Sequence, residues 1–536
     1  MAYNYQLLVK QLFLNPVQNN PDEKIIFKDE FEYTYGQFRK RVCRLANALI
    51  KIGIKKGDTV AILDYDTHRY LECYFAIPMI GAIMHTINVR LSPEQILYTI
   101  EHAEDDMLLV HGDFIPLLEQ TRSRMNVEKF IFLGSNQDAK NTILPIYDEY
   151  ENWIKNEKDS FDFEDFDENT RATIFYTTGT TGMPKGVYFS HRQLVLHTIN
   201  TLATLGSNPS QNINSSDVYM PMTPMFHVHA WGFPYLATYL GMKQIYPGKY
   251  IPERLLKLLQ KHKVTISHCV PTILHMLLNA PGFDKIDLKG WKVIIGGASL
   301  PKSICLAAMK QGIDIFAGYG MSETCPVLSI SQLTPEMMRL DPDKQADMRV
   351  KAGRSVGLVE LRVVDENMND VKADGQSTGE IIVRAPWLTK GYFKDTKNSE
   401  ILWKNDYLHT GDMANIDENG YIKITDRAKD IIKVGGEWVS SLELEDIISL
   451  HSSVKEVAVI GIEDEKWSER PLALVVLKEN KDEQQAKKEI LSHAKEYIKK
   501  GIMARESLLL KIQIVENIQK TSVGKIDKKN LRLKYK

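Results

Sequence analysis

Up to about Gly353 the chain alternates short, unbroken apolar runs with stretches whose apolar positions recur at helical spacing. The runs are DTVAILDY (58–65), MLLVHG (107–112), KFIFLG (129–134), ATIFYTT (172–178), TISHCVPT (265–272) and WKVIIGGAS (291–299). An apolar run without polar alternation suits a strand covered on both faces, and such strands separated by helices predict parallel, helix-covered sheets. From Gly353 the texture changes to GLVELRVVDENMNDV, GEIIVRAP and DENGYIKITD, short alternating segments around turn residues that predict a smaller antiparallel sheet or barrel. A third region follows Asp426, with its own strand VAVIGI, a helical pattern from Glu483 to Lys500 and a Lys-rich tail. The fold class expected is therefore α/β. It comprises a large N-terminal part of helix-covered sheets plus a small β-barrel-like subdomain, and a small α+β C-terminal part. The longest apolar stretch, CYFAIPMIGAIMHTI from Cys73 to Ile87, is too short to span a bilayer and holds Pro78 and His85, so it predicts one buried helix.

Composition narrows the class without naming a function. A chain of 536 residues with 67 basic and 69 acidic side chains, 43% hydrophobic, is an ordinary multidomain globular protein, which excludes disorder, collagen and a dedicated nucleic-acid binder. Cys43, Cys73, Cys269, Cys305 and Cys325 are scattered without paired spacing, so neither a disulfide framework nor a zinc site is expected and a reducing, cytoplasmic location fits. Near the N-terminus Lys10 and Gln11 interrupt the only stretch that could serve a signal peptide, so none is expected, nor is a transmembrane segment. Residues 429–536 hold 21 basic and 18 acidic residues, a mild asymmetry that suits a solvated tail.

The densest chemistry lies in YTTGTTGMPKG, Tyr176 to Gly186, where a strand runs into a loop with three glycines, four threonines and one lysine. Unhindered backbone N–H groups, hydroxyls and a cation together make a cradle for a polyphosphate. It is not a Walker A loop, because Pro184 and Gly186 flank Lys185. GYGMSET, Gly318 to Thr324, lacks the third glycine of a dinucleotide fingerprint, since Glu323 stands there. A loop carboxylate near phosphates suits a magnesium ligand instead. Further on lie YLHTGD with Asp412, ITDRAKDIIKVGGEWVSS with Arg427, Lys429, Lys433, Gly435, Gly436, Glu437 and Trp438, and QKTSVGKIDK with Lys525. The pair His227 and His229 suggests a metal only weakly, because no third ligand stands at suitable spacing. No GxSxG nucleophile elbow is present, which argues against a serine hydrolase.

Taken in order, these motifs resemble those of the adenylate-forming superfamily, which includes acyl-CoA synthetases, peptide-synthetase adenylation domains and beetle luciferases. MFHVHAWGFPY (Met225–Tyr235), KVGGEWVSS and DEKWSERP are most similar to soluble medium- and long-chain fatty acyl-CoA synthetases. The resemblance implies an N-terminal adenylation domain, residues 1–428, and a mobile C-terminal domain, residues 429–536, hinged at Lys429. It implies an AMP-forming ligase that uses a carboxylic acid, ATP, Mg²⁺ and coenzyme A, and a homodimer. By the same resemblance Thr177, Thr178, Gly179, Thr180, Thr181 and Lys185 surround the ATP phosphates, and Thr181 and Glu323 hold Mg²⁺. Gly296, Gly297 and Ala298 line the adenine and acyl pocket; Gly318, Tyr319, Gly320, Met321 and Ser322 meet the nucleotide, with Tyr319 on the adenine ring. Asp412 binds the ribose with Arg427, and Lys429, Lys433 and Trp438 complete the nucleotide set. Lys525 bridges the acyl carboxylate and α-phosphate. His227 faces the acyl-phosphate and thiol, Trp231 gates the acyl tunnel, and Lys433, Gly435, Gly436 and Glu437 belong to the face used in thioester formation. His409 and Gln519 stand where Arg and Pro are common. Two other readings stay open: a ligase for a smaller or functionalised acid (aromatic, branched or methylthio-propionate), and a catalytically silent nucleotide-binding sensor.

Overall fold

The computed structural model describes residues 3–134, 141–177, 183–427, 429–434, 437–464, 466–478, 482–499, 505–521 and 525–535, with backbone alone at 437, 438, 498, 499 and 505. Among them the chain builds four sheets. The first has seven strands in the order Ile146–Glu149, Phe130–Leu133, Asp105–His111, Thr59–Leu63, Ile83–Thr86, Arg171–Thr177 and Lys185–Ser190. All neighbours are parallel except the last pair, in which Thr177 lies opposite Lys185. Every residue of Thr59–Leu63 and of Phe130–Leu133 is buried, as their unalternated sequences require. Helices Tyr35–Lys51, His68–Met79 and Pro93–Ala103 begin where Thr34, Thr67 and Ser92 accept a backbone N–H three residues on, from Gln37, Tyr70 and Gln95.

The stretch Cys73–Ile87 is not one helix. Helix His68–Met79 stops after Pro78, Gly81 turns the chain with φ of +81°, and Ile83–Thr86 continues as a strand. A glycine in the left-handed region ends the helix, and the β-centre of the sheet takes the apolar residues that follow.

The second sheet has nine strands in the order Arg354–Ser355, Val327–Ile330, Asp314–Gly320, Lys292–Ile295, Ile266–Cys269, Val218–Tyr219, Lys243–Tyr246, Lys24–Phe27 and Phe31–Thr34. Its first two pairs and its last are antiparallel, and the five between are parallel. One hydrophobic core runs between this sheet and the first, taking in Phe38, Phe75, Phe175, Phe233 and Phe316. Strands Glu360–Val364, Gly379–Arg384, Tyr407–Ile416, Trp403–Lys404 and Ile422–Arg427 form a third, antiparallel sheet. The fourth sheet, built around the long hairpin Val454–Asp464 and Ser468–Leu477, packs against helices Ser441–Ser449 and Glu483–Lys499 over a core of its own.

The fourth sheet is tied to the third by polar groups. Asp426 accepts bonds from the N–H and the hydroxyl of Ser441, both at 2.7 Å, and Lys423 pairs with Glu443 at 3.0 Å. Lys528 reaches Ser441 Oγ at 2.6 Å and Glu445 at 2.8 Å. All five cysteines are buried.

The hairpin Asp314–Gly320 to Val327–Ile330 carries the GYGMSET loop, and it closes tightly: a Cβ on Gly320 would lie 1.9 Å from the Pro326 carbonyl oxygen. Gly320→Ala is therefore expected to cost about 1–3 kcal/mol or more through forced backbone movement. Urea denaturation of the variant checks this, and a stability equal to that of the parent would mean that the hairpin can open freely.

Candidate active site

The carboxyl ends of Lys292–Ile295 and Asp314–Gly320, the turn after His227 and the segment holding Lys525 enclose a cavity of about 50 Å³. Its wall includes His227, Trp231, Gly296, Gly297, Tyr319 and Lys525, together with apolar Phe233, Ile294, Val327 and Ile330. Four motifs far apart on the chain thus meet around one space.

The turn is unusual in its backbone. Val228, His229, Ala230, Trp231 and Gly232 all have positive φ, at 48°, 54°, 45°, 59° and 77°. Each L-residue in this conformation costs roughly 1–2 kcal/mol. Burial holds the turn in place: Val228, His229, Ala230 and Trp231 are between 0 and 6% exposed. His229 lies among Tyr74, Phe175, Phe189 and Tyr235, and neither ring nitrogen has a partner among the described residues. Burial lowers its pKa to about 3, so it is a neutral packing group. Trp231 packs over His268 at 5.1 Å between ring centroids, and a Cβ on Gly296 would lie 3.0 Å from the indole. His268 is sandwiched further by Phe233 and bonded to the Tyr219 hydroxyl at 2.8 Å.

Lys525 enters from the opposite side, its stem 3.4 Å from where a Gly297 Cβ would sit. Burial and the Arg427 charge lower its ammonium to about 8, against the pull of Asp412 and Glu323. His227 is held at about 3 by burial and by the Lys525 and Arg90 charges. Asp412 accepts from the Tyr319 hydroxyl at 2.8 Å and pairs with Arg427 at 3.2 Å, so the side chains expected at adenine and ribose are joined. Glu323, 6% exposed, accepts from the Tyr392 hydroxyl at 2.7 Å, and Lys185 lies 4.6 Å from the centre of that same ring.

Ten of the expected residues line this cavity. Gly318, Gly320, Met321 and Ser322 line the same cavity, and Thr177 ends its strand opposite Lys185. Ala298 does not line it and is exposed. Lys429 lies in the turn after Ile422–Arg427, and Lys433 on strand Ile432–Val434, away from the cavity wall, with its N–H bonded to Glu469. Thr178, Gly179, Thr180, Thr181, Gly435 and Gly436 lie outside the described residues, as do the side chains of Glu437 and Trp438, whose backbone forms strand Glu437–Val439. His409 pairs with Glu380 at 2.9 Å. Sequence reasoning missed Tyr392 and His268; the former stands in TKGYF, a glycine–aromatic step that signals a tight approach, whereas nothing in TISHCVPT marks the latter.

No group of three or more His, Cys, Asp or Glu side chains that could hold a metal occurs among the described residues. Glu323 alone still suits Mg²⁺, which commonly takes one protein carboxylate together with phosphate oxygens and water.

The model of the AMP-binding enzyme family matches residues 13–393, and that of the AMP-binding enzyme C-terminal domain matches residues 443–525. The chain is 37% identical to a long-chain-fatty-acid–CoA ligase of Thermus thermophilus, over 94% of this chain and 90% of the relative. It is also 37% identical to a 3-methylmercaptopropionyl-CoA ligase of Ruegeria lacuscaerulensis, over 94% and 92%. An anthranilate CoA ligase in complex with anthranoyl-AMP shares the fold, with a TM-score of 0.87 at 24% identity over 100% of this chain and 98% of the other.

Trp231 packs here like a core side chain. Trp231→Ala should therefore lower stability by about 3–5 kcal/mol, measured by thermal or urea denaturation; a loss below about 1 kcal/mol would mean that the indole is loosely held.

Proposed function

The chain belongs to the AMP-binding enzyme family, and on that premise we propose that it is an AMP-forming fatty acid:CoA ligase acting on a medium- or long-chain carboxylate. The observation that carries the reading is the position of Lys525, a residue of the C-terminal part, at a cavity shared with His227, Trp231, Gly296, Gly297 and Tyr319. A carboxylate is a poor acyl donor because oxide would have to leave. In the first step its oxygen attacks the α-phosphorus of ATP; a new P–O bond forms, the bond to the bridging oxygen breaks, and acyl-AMP and pyrophosphate result. Lys525 offsets the charge that builds on the α-phosphate, at short range and partly out of water. Glu323, together with phosphate oxygens, would hold Mg²⁺, which would supply neutralisation of the triphosphate. Asp412 and Arg427 hold the ribose, and Tyr319 stacks on the adenine.

In the second step the coenzyme A sulfur, its proton passing to solvent, attacks the acyl carbonyl carbon; a C–S bond forms and the C–O bond to AMP breaks. A histidine with a pKa near 3 is a poor general base at neutral pH, so His227 serves as a neutral hydrogen-bonding group beside the acyl carbonyl. Lys525 and the thiol cannot occupy the same approach, so the C-terminal domain, residues 429–536, turns about Lys429 relative to residues 1–428 and brings Lys433, Gly435, Gly436 and Glu437 toward the site. We place the protein in the cytoplasm and read it as a homodimer. No helix of the described residues is long and apolar enough to cross a membrane.

A second reading, a smaller or functionalised acid, is favoured by the likeness to the 3-methylmercaptopropionyl-CoA ligase. The indole of Trp231, on the cavity wall, would restrict a bulky tail. Pyrophosphate release over a series of acids of increasing length, with and without coenzyme A, separates the two.

Lys525→Ala should slow acyl-AMP formation roughly 100-fold or more, the scale of losing one stabilising group, yet leave conversion of supplied acyl-AMP and coenzyme A largely intact. Lys433→Ala should impair mainly the latter. ATP–pyrophosphate exchange and thioester assays measure the two halves, and equal losses in both variants would overturn the domain rotation.

The Lys525 ammonium is charged below about 8 and neutral above. The kcat/KM for adenylation, which reports the free enzyme, should therefore fall as pH rises through about 8. In Lys525→Arg, whose guanidinium stays charged, that alkaline limb should vanish; a limb unchanged in position would assign it to another group.

A further inference from the structure

Two groups of the phosphate site, Lys185 and Glu323, sit on different sheets, and one side chain touches both. The Tyr392 hydroxyl donates to Glu323 Oε1 at 2.7 Å, and the Lys185 ammonium faces the Tyr392 ring at 4.6 Å from its centre. Tyr392 is itself fixed. Its N–H donates to Ser399 Oγ at 2.8 Å, it bridges to Val187, and the Phe393 N–H donates to the Gly186 carbonyl at 2.8 Å. Three residues earlier, the Thr389 N–H donates to the Glu323 carbonyl at 2.9 Å. Segment 389–393 thus stitches the start of strand Lys185–Ser190 to the loop of Glu323. A ring face attracts a cation, and a phenol donates to a carboxylate, so the two contacts use different parts of one side chain and do not compete.

We propose that Tyr392 is a positioning residue for the nucleotide's phosphates and divalent metal. It holds Glu323 through one carboxylate oxygen and keeps the other for the metal, and it rests Lys185 beside the path of the phosphates until they arrive. This assignment rests on the adenylation reading.

The test titrates the full chain with Mn²⁺ in the presence of a non-hydrolysable ATP analogue and follows bound metal by electron paramagnetic resonance. Tyr392→Phe, which removes only the hydroxyl, should weaken Mn²⁺ binding about tenfold, with the melting temperature unchanged and the thioester half-reaction from supplied acyl-AMP unaffected. Added to Glu323→Gln, the same change should cause no further loss of metal binding. Tyr392→Leu, which also removes the ring, should weaken metal-free analogue binding, whereas Tyr392→Phe should not. Metal binding by Tyr392→Phe equal to that of the parent, or additive losses in the double variant, would overturn the positioning role while leaving adenylation standing. Failure of the parent itself to bind Mn²⁺ with the analogue would overturn the adenylation reading, and this assignment with it.

Discussion

The left-handed turn from Val228 to Gly232 is the constraint on which the site depends. Strain of roughly 1–2 kcal/mol for each of its four L-residues would unwind a free peptide. Full burial of a residue such as Val228 contributes about 1.5–3 kcal/mol, so the turn survives because its side chains are embedded in the main core. The reversed hand then aims consecutive residues to different places: His229 into the aromatic cage, and Trp231 across Gly296 and Gly297 onto His268. His227, immediately before the turn, is left at the cavity wall. Strain of this kind concentrates where a site must hold groups in one arrangement. The glycines opposite follow from it, since side chains at 296 or 297 would collide with the indole or crowd Lys525.

Around that fixed apolar wall the charged groups arrive from all four sheets. Lys185 comes from the first, Tyr319 and Glu323 from the hairpin edge of the second, Asp412 and Arg427 from the third, and Lys525 from the chain beyond the fourth. Almost none is left to solvent alone: Asp412 is bonded to Tyr319 and Arg427, Glu323 to Tyr392, and Lys185 rests on an aromatic face. Among the described residues, Tyr319, Asp412, Arg427, Glu323 and Lys185 thus already have partners within the protein. Binding therefore exchanges partners rather than ordering loose side chains, which reduces the entropy lost at the moment of binding.

Much of the architecture could be read along the chain because strands buried on both faces leave unalternated apolar runs, and because capping residues such as Thr34 and Ser92 mark helix starts. In the structure Asp412, Glu323, Tyr319 and Lys525, from separate motifs, lie near one another. What escaped the sequence was set by tertiary packing. Lys24–Phe27 pairs with Lys243–Tyr246 across more than two hundred residues, and no local signal specifies that register. Cys73–Ile87 reads as one helix because its hydrophobicity is continuous; only Pro78 and Gly81 divide it. The left-handed turn contains Val228 and Trp231, residues that local propensity would never put there. Tyr392 stayed hidden for a related reason, since its partners Glu323 and Lys185 are distant in sequence.

The fate of Trp231 links the apolar wall to the charged ring. The indole lies between Gly296–Gly297 on one side and His268 on the other, and Lys525 stands over the same Gly297. On the proposed mechanism an acyl chain places its carboxylate at Lys525 and its tail against the apolar residues Phe233, Ile294 and Ile330. On that reading the indole, which lines the same cavity, competes with the tail for space. On the proposed mechanism, the energy that displaces the indole comes from burying the tail, about 0.8 kcal/mol for each CH₂ group. A short acid supplies little of it and must fit beside the indole, whereas a long one supplies enough to move it. Chain-length preference is then set by how tightly His268 and the left-handed turn hold the indole, more than by the depth of the space behind it.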